Sequence, residues 1–195
     1  MTKKFIKQNT KMIIGLTGKN GAGKTMVVDY LKLKGFGTFS LSDILREEIR
    51  KKGLVEEREN LIKTGNELRE KYGPGILAKL ALDKIKGKNK IAIDSIRNPY
   101  EIEELRKNKD FILIGIDAPV ELRYKRIVER KRVGENISLE QFIEIEEKEN
   151  SDDEKKQQLN KCLELADKII ENVGGIGELH QKIDIILLIY PGALP

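Results

Sequence analysis

The residues best suited to chemistry stand together near the start of the chain: Gly18, Gly23, Lys24 and Thr25, spaced as G-x-x-x-x-G-K-[ST]. Gly18, Gly21 and Gly23 let successive backbone N–H groups turn inward around a phosphate, and Asn20 and Ala22 belong to the same turn. In such a loop Lys24 reaches the β and γ phosphates and the Thr25 hydroxyl ligates Mg²⁺. The flanks give the pattern its weight. Apolar Met12 to Leu16 reads as a buried strand, while Val27, Val28 and Leu31 recur at helical spacing. The order is strand, phosphate loop, helix, and the helix adds the positive end of its dipole. A glycine-rich turn that served packing alone would need neither flank. The sequence therefore predicts a nucleoside triphosphate site.

Further candidates follow where later elements end. The first helix stops near Lys34 at Gly35, and Gly37 to Leu41 forms a short second strand. Ser42 or Asp43 caps the next helix, which puts Arg46 one turn inside it near the mouth of the sheet. Two helices follow, Arg58 to Tyr72 and, after Gly73-Pro74-Gly75, Ile76 to Ile85. They are the expected acceptor side, with Arg58 and Arg69 as candidate contacts, although a solvated arginine is the alternative for each cation. The strand Ile91 to Asp94 ends in a carboxylate, and ligands of open α/β sheets gather at the carboxyl ends of strands. Asp94 can there hold Mg²⁺ through water or orient Lys24, with Arg97 close behind; a turn or helix-capping aspartate is the plainer reading.

Phe111 to Asp117 is the clearest strand, apolar throughout as a parallel strand buried on both faces should be. The helix after Pro119 ends in a cationic group, Arg123, Lys125, Arg126, Arg130, Lys131 and Arg132. Arg126 and Arg130, four apart, share a face and could close over a triphosphate, although such a run is usually a solvated face. Ser138 to Gln141 has the form of a capping box opening an acidic helix, whose carboxylates read as solvated or paired with the basic segment. Ala166 to Asn172 supplies a last core strand, and Gly174-Gly175 turns into a final helix. The tail from Ile185 to Pro195 fits poorly, as an extra edge strand, a partner surface or a boundary remnant. No repeat, low-complexity linker or domain boundary is visible in the 195 residues, so one domain is expected.

Composition narrows the classes. With Lys+Arg 37 and Asp+Glu 32 the net charge is +5, a mild excess spread along the chain, which suits a small phosphorylated ligand and ranks nucleic acid last. One cysteine, Cys162, permits no internal disulfide, and one histidine, His180, rules out most histidine metal sites and triads. The basic start leads into the phosphate loop rather than a cleavable apolar segment, and Ile185 to Tyr190 is far short of the ~20 residues that span a bilayer. A cytoplasmic chain without a membrane partner is expected, and a homo-oligomer is compatible with everything read so far.

The ordered segments from Ile13 to about Leu179 resemble the nucleoside monophosphate kinase-like group of P-loop kinases. Within it they are similar to dephospho-coenzyme A kinases and to the deoxynucleotide kinase-like domain joined to some deoxycytidylate deaminases. Gly15 to Thr25 matches both. Ser42-Asp43-Ile-Leu-Arg46 looks like the segment whose arginine grips the acceptor's phosphate. Arg58 to Leu61 through Gly75, and Asp94 to Pro99, look most like the deaminase-associated domain. Arg126 and Arg130 match the lid arginines that contact the triphosphate, and Ala166 to Asn172 with Gly174 resembles the segment along the adenine.

The resemblance implies an α/β, three-layer P-loop NTPase fold. It has a five-stranded parallel sheet flanked by helices, a core of about 12–183, a small lid at about 130–137 and a helical acceptor-side insertion at about 43–86. It implies an ATP- and Mg²⁺-dependent phosphotransferase with a nucleotide-like acceptor, Asp43 serving as base if that acceptor is a hydroxyl. Two departures stand out. The region beyond the lid carries glutamates where monophosphate kinases carry arginines, and Ser42-Asp43 stands where dephospho-coenzyme A kinases have an aspartate pair. The zinc deaminase signature H-x-E with P-C-x-x-C is absent. A regulatory nucleotide-binding protein that transfers nothing is the rival reading, and the lack of an N-K-x-D segment disfavours a GTPase switch.

Overall fold

A computed structural model describes residues 11–130 and 137–190. The first strand, β1 (Met12–Thr17), leads through the glycine loop into α1 (Lys24–Leu33), followed by β2 (Gly37–Ser40) and α2 (Leu41–Lys51). The helices α3 (Arg58–Tyr72) and α4 (Ile76–Lys84) come before β3 (Lys90–Asp94), α5 (Pro99–Arg106) and β4 (Phe111–Asp117). Then come α6 (Val120–Glu129), α7 (Leu139–Glu149), α8 (Leu159–Glu164), β5 (Lys168–Glu171) and α9 (Ile176–Ile189). The five strands form one parallel sheet in the order β2-β3-β1-β4-β5. All five carboxyl ends therefore lie along one edge, and Ser40, Asp94 and the glycine loop come together there.

Side-chain alternation along the strands builds a core on each face. Met12, Ile14 and Leu16 of β1 pack with Ile112, Ile114 and Ile116 against α1 and α9. Ile13, Ile91, Ile93 and Leu113 pack on the other face with α2, α4, α5 and Cys162 of α8. Burial on both sides explains why β1 and β4 read as unbroken apolar runs. The α/β layering and the five parallel strands agree with the sequence expectation.

Local differences have local causes. Helix α2 begins at Leu41 directly after the strand, so Ser40, rather than Ser42 or Asp43, is the cap, its hydroxyl accepting from the Ser42 N–H at 3.3 Å. Ile185 to Ile189 continue α9 instead of forming an edge strand, because Leu179, Ile183, Ile186 and Leu187 recur at helical spacing and bury against α1. His180 stacks on Tyr30 at 3.7 Å, and the Tyr30 hydroxyl donates to Asp184 at 2.7 Å, which fastens the two helices. Apart from Arg130 and Ile137, the expected lid falls outside the described residues, as do 191–195 of the tail.

Helix α5 carries the main buried charge on the acceptor side. Asn98 caps it in a capping box with Glu101, whose Oε2 accepts from the N–H groups of Arg97 and Asn98 at 2.9 and 3.2 Å. The other oxygen accepts from Arg69 Nε and Nη2 at 3.2 and 2.8 Å, and the side chains are 0% and 3% exposed. Breaking such a pair strands a buried cation. Glu101→Ala should therefore destabilise the fold by about 3–5 kcal/mol in urea denaturation. A loss under about 1 kcal/mol would show that Arg69 finds another acceptor.

Candidate active site

The glycine loop keeps its shape because other segments press on its backbone where no side chain stands. Gly23 caps α1 at φ 107°, and a Cβ there would lie 2.3 Å from Asn172 Nδ2, the amide that donates to the Ala22 carbonyl at 2.8 Å. At Gly21, with φ 77°, a Cβ would lie 2.5 Å from the Arg123 carbonyl. An α-helix leaves its first N–H groups without intrahelical partners, and α1 starts at Lys24, directly after the loop. Lys24 Nζ donates to the Gly18 and Lys19 carbonyls at 2.6 and 2.8 Å. Burial, with the Arg97 charge next, lowers its pKa to about 8, while Asp94 acts in the opposite direction.

Asn20, Gly21, Gly23, Lys24 and Thr25 line a cleft of about 800 Å³, and Asp94, Arg97, Arg58, Arg46 and Arg130 line it too. One oxygen of Asp94, Oδ1, is buried without a hydrogen-bond partner among the described residues. Ser95 beside it takes φ 65°, unusual for a residue with a side chain, and accepts from Ser40 Oγ at 3.0 Å. Backbone held in that region tends to mark functional positions. Arg97 Nη1 donates to Gln157 Oε1 at 3.0 Å, and burial lowers its pKa.

Several candidates sit differently from the expectation. Arg69 reaches the cleft wall, but its guanidinium is taken by Glu101, so it stands as a structural cation rather than an acceptor contact. Asp43 is half exposed, bonds Arg46 at 2.8 Å and does not line the cleft, so the geometry does not offer it as a base. Arg46 is shared further with Glu56 at 3.7 Å. Arg126 leaves the cleft for the end of β5, where Nη2 donates to the Asn172 carbonyl at 2.9 Å. Among the described residues its Nη1 is buried with no partner, and burial followed by the Arg130 charge lowers its pKa. Asn172 and Gly174 lie at that same end; the Asn172 N–H donates to the Asp117 carbonyl at 2.8 Å, and Gly174 comes close to the Glu178 carboxylate.

Sequence reasoning missed Arg123, Glu146, Glu149 and Gln157. The Arg123 side chain, 3% exposed, donates to the carbonyls of Ala118 and Asn20 at 2.9 and 3.2 Å and to Glu146. Arg58 Nε and Nη2 donate to the two oxygens of Glu149 at 2.6 and 2.7 Å. Two of the α7 carboxylates therefore pair with cations, Glu146 with Arg123 of the basic segment and Glu149 with Arg58 of α3. A signal was present: Phe142 marks the buried face of α7, and Glu146 and Glu149 follow it at four and seven residues.

The residues fit a magnesium triphosphate. The loop gives backbone N–H groups, Lys24 and Arg97 give buried positive charge, and Thr25 with the unpartnered Asp94 oxygen gives hard oxygen ligands for Mg²⁺, direct or through water. Among the described residues no group of three or more His, Cys, Asp or Glu gathers to hold a metal alone. Mg²⁺, by contrast, needs only one or two protein oxygens beside phosphates.

Sheet, loop and flanking helices define a P-loop fold of the kinase-like kind. The crystal structure of a shikimate kinase from Bacteroides thetaiotaomicron superposes with a TM-score of 0.55 at 16% identity, covering 91% of this chain and 98% of that one. Residues 14–157 match the AAA_18 family, an AAA domain. A UPF0200 protein of Sulfurisphaera tokodaii is 33% identical over 175 residues, 90% of this chain and 95% of that protein. The chain belongs to the AAA_18 family and to the UPF0200 proteins. The UPF0200/UPF0201 protein of Archaeoglobus fulgidus is 34% identical over 182 residues, but the chain spans only 55% of its length. Among the described residues no helix is long and apolar enough to cross a membrane.

The depressed Lys24 pKa fixes a stability trend. The folded chain binds the Lys24 proton less tightly than the unfolded chain does, so the cation costs stability below about pH 8 and the cost fades as pH rises from there toward the ordinary lysine value of 10.5. Lys24→Met should raise the melting temperature at pH 7, with the gap to the parent narrowing between pH 8 and 10. A lower melting temperature at pH 7 would mean that the two carbonyl hydrogen bonds outweigh desolvation.

Proposed function

We propose that the chain is an ATP- and Mg²⁺-dependent phosphotransferase acting on a small nucleotide-like acceptor. The observation that carries this is a set of cations held by neutral oxygens: Lys24 by two carbonyls and Arg97 by the Gln157 amide beside the loop, and the partly buried Arg126 by the Asn172 carbonyl at the end of β5. Burial lowers the pKa of each, so each gains from an anion. A triphosphate supplies that charge.

Phosphoryl transfer is carried by positioning and electrostatics. The loop N–H groups and Lys24 hold the β and γ phosphates, Arg97 and Arg130 face the γ end from the cleft wall, and Arg126 with the end of β5 lies on the base side. Mg²⁺, held by Thr25 and through water by Asp94, would neutralise charge between the phosphates. The acceptor oxygen bonds to the γ phosphorus as the bond to the bridging oxygen breaks, and ADP leaves with that electron pair. A phosphate acceptor needs no base, and a hydroxyl acceptor releases its proton to water in the open cleft. Arg46 is placed for the acceptor on the α2–α3 side. The resemblance to dephospho-coenzyme A kinases and to the deaminase-associated kinase-like domain suggests which acceptors to offer first. The chain is read as one kinase-like domain acting on small molecules in the cytoplasm, as a monomer or a homo-oligomer.

Pairing of Arg58 and Arg123 with glutamates favours a second reading, a nucleotide-binding regulator that transfers nothing. One screen separates the two. Labelled ATP with Mg²⁺ is offered nucleoside and deoxynucleoside monophosphates, dephospho-coenzyme A and neutral hydroxyl acceptors. Label should pass to one of them, vanish with Lys24→Ala, and fall about 10–100-fold with Asp94→Asn, the cost of losing an outer-shell partner of a metal. Asp43→Asn should cost far less. ATP binding with no labelled acceptor would make the regulatory reading the leading one.

A further inference from the structure

A side recess of about 420 Å³ opens beside the tip of the glycine loop and shares Asn20, Arg58, Arg97 and Glu149 with the main cleft. Lys24 Nζ points to the Gly18 and Lys19 carbonyls, and Lys19 and Asn20 line the recess, so it adjoins the place where the outermost phosphate of a donor would lie. Arg58 comes from the acceptor-side helix α3, and Glu146, Glu147 and Glu149 come from α7 across from it. The recess is where an acceptor's reacting group would wait.

Of the four cations that line it, Lys19, Arg58, Arg97 and Arg123, two are already matched by carboxylates. The Arg58 fork is filled by both oxygens of Glu149, the bidentate geometry with which a guanidinium would otherwise grip a phosphate. The Glu149 side chain is 9% exposed, so its charge is poorly screened by solvent. Arg123 is divided among two carbonyls and Glu146. Arg97, bonded to a neutral amide, faces the donor side as well and serves the transferring phosphoryl group. A phosphate monoester carries nearly two negative charges at neutral pH. In this recess it would have to expel Glu149 from Arg58 or lie against it, and like charges close together in a partly buried site repel strongly.

We infer that Glu149 is a specificity-determining residue: held on Arg58, it makes the recess accept a neutral or cationic polar group, such as a hydroxyl-bearing one, and reject a terminal phosphate monoester. The inference rests on the donor reading of the glycine loop. It narrows the acceptor to one phosphorylated on a hydroxyl, whose remaining negative charge, if any, lies away from the recess.

The test is calorimetric titration of the full chain saturated with Mg²⁺ and a non-hydrolysable ATP analogue. The probes are AMP against adenosine and CMP against cytidine, titrated into the parent, Glu149→Gln, Arg58→Ala and the double variant. The parent should bind each monophosphate no tighter than its nucleoside. Glu149→Gln should tighten the monophosphates at least tenfold, about 1.4 kcal/mol, and leave the nucleosides unchanged. Arg58→Ala alone should change monophosphate binding less than twofold, and in the Glu149→Gln background it should abolish the gain. A purely structural role for Glu149 predicts no gain that depends on Arg58.

Tenfold tighter monophosphate binding by the parent, or no gain in Glu149→Gln, overturns the inference while normal analogue binding leaves the donor reading intact. Failure of the parent to bind the analogue overturns both.

Discussion

One buried guanidinium ties together the parts that any ligand must touch. Arg123 of α6 donates to the carbonyl that precedes its own helix, to the carbonyl of Asn20 at the tip of the glycine loop, and to Glu146 of α7. Its backbone also lies against Gly21, at the only distance a residue without a side chain allows. Three separate segments, the loop after β1, the start of α6 and the middle of α7, are fixed to one another through this residue. A cation so buried is tolerable because its donors meet oxygen atoms, one of them charged. Loss of that charge would leave loop and helix without their common anchor.

The parallel sheet supplies the rest of the positioning. Because all strands run one way, β1, β2 and β3 deliver the glycine loop, Ser40 and Asp94 to a single edge, and β5 delivers Asn172 beside them. The turn after β3 carries backbone strain at Ser95, and next to it Asp94 keeps a buried oxygen without a partner among the described residues. Folding alone would favour neither feature. Both are consistent with a position shaped for a ligand that brings its own charge and hydrogen bonds.

Legibility in the sequence followed the range of the interactions. The glycine loop, the apolar strands and the capping box at Ser138 depend on residues within a few positions of one another, and each could be read directly. The end of the chain could not. Ile185 to Ile189 is a short apolar run that suits strand and helix equally, and only its packing against α1 decides for helix. The arginines were harder still. Arg58, Arg69, Arg123 and Arg126 look alike as letters, and their roles come from partners 91, 32, 23 and 46 residues away. Helical phase offers a partial remedy: Arg123 shares the buried face of Ile127, while Lys125 and Glu129 face solvent.

The net charge of +5 says little about how positive the site is, because cations differ in what they are paired with. Six of those in and beside the cleft fall into two groups. Arg58, Arg69 and Arg123 each meet a carboxylate, and their charge is balanced within the fold. Lys24, Arg97 and Arg126 meet only neutral oxygens through the hydrogen bonds that hold them, and burial lowers the pKa of all three. The second group surrounds the glycine loop and the end of β5. The first comes from α3 and α6 and meets glutamates of α5 and α7. Unbalanced buried charge is unstable by itself and marks where an anion must come from outside; balanced charge marks where none is required. Cations balanced by carboxylates and cations held by neutral oxygens thus lie in different places, and the difference follows from glutamates on two helices, Glu101 of α5 and Glu146 and Glu149 of α7.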